Sequence, residues 1–206
     1  MHISEGVLSA PVLVGGAALT ATCLVISTRK LQSQDIPKTA LLCAVFFLAS
    51  LLRVPLGPGS AHLVLCGLMG ALLGWGAFIS IFVALLLQGI LFQFGGLTTL
   101  GINTFNMGVP SVLCAALLGR FLTGKSHVLA GAAAFCIGFG SLLLAALLTA
   151  VSLYLSGSHF LSIAKTLLVA HLPIAVIEGV ITAACVYFLR KVKPGMLPYA
   201  KERVQV

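Results

Sequence analysis

Apolar residues fill most of the chain in long unbroken runs. Polar positions are confined to the ends of those runs and to a few interior points. A membrane-spanning helix needs about 20 predominantly apolar residues. Runs near that length fall at 7–28, 37–56, 60–75, 77–94, 101–123, 128–155 and 162–190. They predict an all-α fold, a polytopic transmembrane helix bundle of about seven spans, built as a single domain over residues 1–206. The third and fourth runs are short and separated only around Trp75-Gly76, which predicts a tight hairpin of helices. The last two are long enough to tilt or to project beyond the bilayer. Gly70/Gly74, Ala17/Ala21 and Ala40/Ala44 are small-x-x-x-small pairs. Such pairs allow close helix approach and say little more.

Composition agrees with the pattern. The chain is 60% hydrophobic and 8% charged, whereas a soluble domain carries roughly 25% charged residues. The net charge of +8 comes from basic residues at the ends of the apolar runs, which reads as a topology signal and not as a nucleic-acid patch. Arg29, Lys30 and Lys38 follow the first run, Arg120 and Lys125 the fifth, and Arg190, Lys191, Lys193, Lys201 and Arg203 the seventh. With alternating spans these ends share one side. The positive-inside bias makes that side the cytoplasm, with the C-terminus inside and the N-terminus outside. The opposite ends, 54–61, 95–101 and 156–162, are nearly uncharged; Arg53 is the exception. The first run has no basic residue before it and no clear small-residue cleavage site, so it does not read as a signal peptide. Six cysteines lie singly in apolar runs, with no C-x-x-C, and read as small core fillers.

Polar groups in hydrocarbon are costly, so the interior ones are informative. His62 follows Gly57-Pro58-Gly59-Ser60-Ala61, where Ser60 is a candidate helix cap; that puts His62 in the first turn of the third span, on the outer side. Asn103 and Asn106 share a helix face and serve either to bond a neighbouring helix or to brace a loop or ligand. His171 and Glu178 share a face two turns apart, with Glu178 near the midplane, as a structural buried acid or a proton or cation relay. His127 and His159 sit at span ends as ordinary interfacial residues, and Gln88 and Gln93 read as packing amides.

The first two residues offer a compact chelate. The Met1 α-amine, the His2 amide nitrogen if deprotonated, and the His2 ring Nδ1 are three nitrogens in sequence. Amine and amide close a five-membered ring on a metal, and amide and imidazole a six-membered one. The fused rings favour a plane, and His62, on the same expected side, is the candidate for the fourth nitrogen. Four nitrogens in a tetragonal plane suit Ni(II) or Cu(II).

Four blocks in order, MHISEGVLS, GPGSAHLVLCGLMG, FGGLTTLGINTFNMGVP and HLPIAVIEGVITA, resemble the CbiM/NikM family over residues 1 to about 190. These are the substrate-binding membrane subunits of energy-coupling-factor type cobalt and nickel transporters. The resemblance implies an N-terminal segment folded back into the bundle. It also implies a metal held by Met1, His2 and His62, with Ni(II) favoured over Co(II) as the transported substrate. Glu5, Arg53 and Asn103 are expected to support the site, Glu5 and Arg53 as a pair and Asn103 through the terminal backbone or a ligand histidine. The implied partners are a transmembrane coupling subunit, two ATPase subunits and a further small membrane subunit, in a prokaryotic plasma membrane. The chain has no G-x-x-x-x-G-K-[ST], so ATP hydrolysis is expected in a partner and not here. Two other classes stay open at this point. One is a self-sufficient secondary carrier with Glu178 and His171 as its relay. The other is a membrane enzyme, for which neither H-E-x-x-H nor G-x-S-x-G is present.

Overall fold

In the computed structural model, residues 2–51, 53–56 and 59–198 are described, with backbone alone at 53–56 and 59–62. The elements are α1 (Ala10–Lys30), α2 (Ile36–Leu51), β1 (Arg53–Leu56), β2 (Gly59–His62), α3 (Cys66–Leu73), α4 (Gly76–Phe92), α5 (Leu100–Leu122), α6 (His127–Ser156) and α7 (Leu161–Val192). Local chemistry sets several boundaries. Pro11 occupies the first turn of α1, and Arg29 and Lys30 lie in its last turn, where cations suit the helix dipole. Ser126 caps α6 by accepting from the Leu129 amide at 3.3 Å.

Among the described residues the regular structure is helical apart from one short hairpin, and five helices are long and apolar enough to cross a membrane. The chain is a multi-pass membrane protein. α5 packs against α1, α3, α4 and α6, and α6 in turn packs along α7. The basic ends do gather at one end of the bundle. Arg190 of α7 donates to the carbonyls of Leu122 (3.0 Å) and Gly124 (2.7 Å) at the end of α5. Lys30 lies 4.7 Å over the Trp75 ring, and Ser27 donates to the Trp75 carbonyl at 2.6 Å. At the other end the Ser9 amide donates to Ser156 Oγ at 3.1 Å, and the Glu5 amide to the Gly95 carbonyl at 2.9 Å.

The second and third expected spans need correction. α2 stops at Leu51, and the stretch that was to extend it and to open the next helix is an antiparallel hairpin, with Arg53 opposite His62 and Leu56 opposite Gly59. Ser60 is therefore not a helix cap, and His62 ends a strand instead of standing in a first helical turn. Pro55, Gly57, Pro58 and Gly59 explain this, because prolines withhold backbone donors and glycines lower helix propensity. α3 has eight residues, about 12 Å of helix against a hydrocarbon core of about 30 Å. The short link 63–65 joins the hairpin to α3 at the depth of Glu178, near the middle of α7. This crossing is thus half ribbon and half helix.

Three helices meet closely at that depth. A Cβ on Gly67 of α3 would stand 2.5 Å from the Gly138 Cα of α6, and one on Gly138 would meet Glu178 O and Thr182 Oγ1 of α7 at 2.6 Å. Gly138 thus lets α6 pass between α3 and α7 with almost no separation.

Candidate metal site

The N-terminal segment folds back into the bundle. His2 and Ile3 are 4% and 1% exposed although they precede the first helix. Ile3 is held by Asn103, in the first turn of α5. Its Oδ1 accepts from the Ile3 amide at 3.0 Å, and its Nδ2 donates to the Ile3 carbonyl at 3.1 Å and to Thr99 Oγ1 at 3.2 Å. The side-chain amide of Asn103 therefore pairs with Ile3 as a neighbouring strand would. The Asn103 side chain engages Ile3 on both of its backbone polar groups, and the amide it takes is that of Ile3 and not of His2.

Gly95 makes this seat possible. It adopts φ +81°, and a Cβ there would lie 3.2 Å from Asn103 Nδ2 and 3.6 Å from His2 Cβ. A side chain at this position would press on Asn103 and stand in ordinary contact with His2. Gly96 does the same for Glu5, whose carboxyl group packs where a Gly96 side chain would go. Glu5 itself is exposed, and its amide makes the hydrogen bond to the loop.

Of the six residues expected at the site, the structure brings His2, Glu5 and Asn103 to one end of the bundle, around the 95–99 loop. Met1 lies outside the described residues. The backbone of β2 carries His62 opposite Arg53, and this strand packs against α2 and α7. The side chains of Arg53 and His62 also lie outside the described residues, and with them the Glu5–Arg53 pair and the His62 ring. Among the described residues no group of three His, Cys, Asp or Glu side chains gathers as a metal cage.

The other interior polar residues separate cleanly. Asn106, one turn after Asn103, donates to Ser152 Oγ of α6 at 3.1 Å, so it bonds a neighbouring helix and takes no part in the seat. Gln88 donates to Ser50 Oγ inside the bundle, as a packing amide. Gln93 is not one: it is exposed and ends α4 at φ +55°. His127 and His159 are exposed at helix ends, beside Tyr187 and Phe160. His171 Nδ1 donates to the Leu167 carbonyl of its own helix at 2.7 Å. Glu178 Oε1 accepts from the amides of Val64 (2.5 Å) and Leu65 (2.7 Å). Gly95, Thr99 and Ile3 were not singled out in the sequence. The Thr99–Asn103 spacing of one helical turn, behind a glycine pair, was the available signal.

Known proteins resemble this chain over nearly its whole length. The CbiM family, described as the cobalt uptake substrate-specific transmembrane region, matches residues 2–196. A Haemophilus influenzae protein whose name assigns it to metal transport is 38% identical over 201 residues, covering 96% of this chain and 97% of that one. The fused nickel transport protein NikMN of Rhodobacter capsulatus is 31% identical over 235 residues, covering 98% of this chain and 67% of its own. A truncated transition metal transporter of known crystal structure superimposes with a TM-score of 0.82 at 29% identity, covering 93% of this chain and 99% of that one.

Proposed function

Because the chain belongs to the CbiM family of cobalt-uptake substrate-specific membrane proteins, we propose that it captures a divalent nickel or cobalt ion on the outer side of the membrane. In this reading the Met1 amine, the His2 amide and ring, and the His62 ring are the four nitrogen donors. Asn103 holds the terminal segment in register, and Glu5 seats it on the Gly95-Gly96 turn. Arg53, the first residue of the hairpin, is the partner for Glu5 in this reading. The whole chain acts as one substrate-binding unit.

One observation carries the proposal. A short N-terminal segment is buried against the first turn of α5, with both backbone groups of Ile3 bonded to one side chain. Burying a terminus orders a segment that would otherwise be free, at an entropic cost of roughly 1–2 kcal/mol per residue. Function as a ligand gives that cost a purpose. The planar nitrogen set favours nickel over cobalt, since tetragonal nitrogen sites suit Ni(II).

The chain is a transport component and not an enzyme. We place ATP hydrolysis in two partner ATPase subunits, coupled through a transmembrane subunit, in an energy-coupling-factor assembly of the plasma membrane. A further small membrane subunit is supported by the fused relative, of which this chain covers 67%. The basic end of the bundle faces the cytoplasm. The secondary-carrier reading loses ground because Glu178 is engaged with two backbone amides and His171 with its own helix.

Nickel titration of the purified chain tests the site. The native terminus should bind tightly. One residue added before Met1 turns the amine into a peptide amide and should abolish high-affinity binding, as should His2→Ala and His62→Ala. Full affinity in the extended protein would show that the terminus is not a ligand.

A further inference from the structure

Glu178 has no place in the donor set, yet it is wholly buried, and one of its oxygens accepts two hydrogen bonds from a segment more than 110 residues earlier. Those bonds fall on Val64 and Leu65, the link between the hairpin and α3. The first amides of a helix have no partner within it, and hydrocarbon supplies none. A carboxyl oxygen can accept in either protonation state, so the interaction is geometric. On the other side of the link, the Ser111 hydroxyl of α5 donates to the Cys66 carbonyl at 2.5 Å. Leu65 itself is held at φ 56°, a left-handed conformation that residues with a Cβ seldom adopt. A buried leucine stays there only if its surroundings impose it.

We propose that Glu178 is a positioning residue for metal capture: it clamps the Val64–Leu65 backbone from α7 and thereby sets where the hairpin presents His62. The proposal rests on His62 being a ligand, as argued above. The distance involved is short. His62 is two residues before Val64, so its Cα lies within about 7 Å of the clamped amide even when the chain is fully extended. With Val64 and Leu65 held just beyond it, the end of β2 has little room to shift. The clamp is also stiff from behind, because Gly138 brings α6 into direct contact with the Glu178 carbonyl. Rotation or displacement of α7 would be passed to the ligand strand through these two hydrogen bonds.

The test uses the full chain with its native terminus, in detergent, and reads two quantities. The first is nickel affinity, with the visible ligand-field spectrum at saturation. The second is hydrogen exchange of peptides spanning Val64 and Leu65 without metal. Glu178→Ala should speed exchange there and weaken nickel binding about 10- to 100-fold, the usual range for a residue that orients a ligand. Its saturated spectrum should match the wild type, because the donors are unchanged. Glu178→Gln keeps a neutral acceptor and should fall between the two; it serves if the alanine variant does not fold. His159→Ala, at an exposed helix end, should change neither reading.

Unchanged exchange in both Glu178 variants would overturn the clamp. Faster exchange with wild-type nickel affinity would overturn its link to the site. Wild-type affinity in His62→Ala would overturn the ligand assignment and the positioning role with it. The exchange data, which need no metal, would still report the clamp in that case, so the two failures are distinguishable.

Discussion

Replacing Asn103 by alanine removes both hydrogen bonds to Ile3, at 3.0 and 3.1 Å, from a side chain that is 3% exposed. A net hydrogen bond between neutral groups contributes about 1 kcal/mol, so docking of the terminal segment should lose about 2 kcal/mol. Leaving the Ile3 amide and carbonyl buried without partners would cost more, about 1–3 kcal/mol each. The segment avoids that by undocking. Docking should therefore weaken about 30-fold, since 1.4 kcal/mol is a factor of ten. Apparent affinity scales with the docked fraction, which makes 30-fold the ceiling on the loss of nickel affinity. Isothermal titration of the detergent-purified protein would measure it. Asn106→Ala, which breaks only the bond to Ser152 of α6, should lower thermal stability and leave affinity nearly unchanged. Wild-type affinity in Asn103→Ala, in the same preparation where His2→Ala fails to bind, would refute the reasoning. The terminal segment would then be held by something other than this amide.

Gly95→Ala places a Cβ 3.2 Å from Asn103 Nδ2 at a φ of +81°, a strain of about 1–2 kcal/mol, and should weaken nickel binding up to about 30-fold in the same titration. Metal must displace protons from an amine, a peptide amide and an imidazole, so affinity should fall as pH falls through the range of about 8 to 6 where the amine and ring protonate. Titrations at stepped pH with a flat response would contradict the terminal chelate. A reporter fused after Val206 should be active only in a form that works in the cytoplasm; a signal restricted to the outer compartment would reverse the orientation.

Much of the bundle was legible because the physics of spanning helices is local. α1 and α5 to α7 are long apolar runs closed by basic residues, caps or loop residues, and their observed limits lie within a few residues of the expected ones. The stretch after Leu51 was not legible as a helix boundary. Hydropathy alone cannot tell an apolar ribbon from the start of a helix, and Pro55, Gly57, Pro58 and Gly59 were the local warning. The start of α3 is set by tertiary partners, Glu178 and Ser111, that no local pattern announces. Asn103 and Asn106 looked alike in sequence, on one face and one turn apart. Their tasks diverge because one meets the folded-back terminus and the other meets Ser152. Glu178 stood out as a costly interior acid, but whether it relays protons or binds amides depends on a segment more than 110 residues away.

Those long separations impose an order on assembly. Ile3 is bonded across 100 residues and Val64 across 114. At roughly 5–20 residues per second, each partner emerges from the ribosome about 5–25 s after the segment that it holds. The terminal residues reach their seat only when α5 has been made, and the link before α3 finds an acceptor only when α7 arrives. Until then two amides meant for mid-membrane depth have no carboxyl group to meet, so the ribbon has reason to stay in the polar surface layer. A chain that stops short of α7 would lack the acceptor for its mid-membrane link. Unfinished copies would then leave scarce metal to the completed ones.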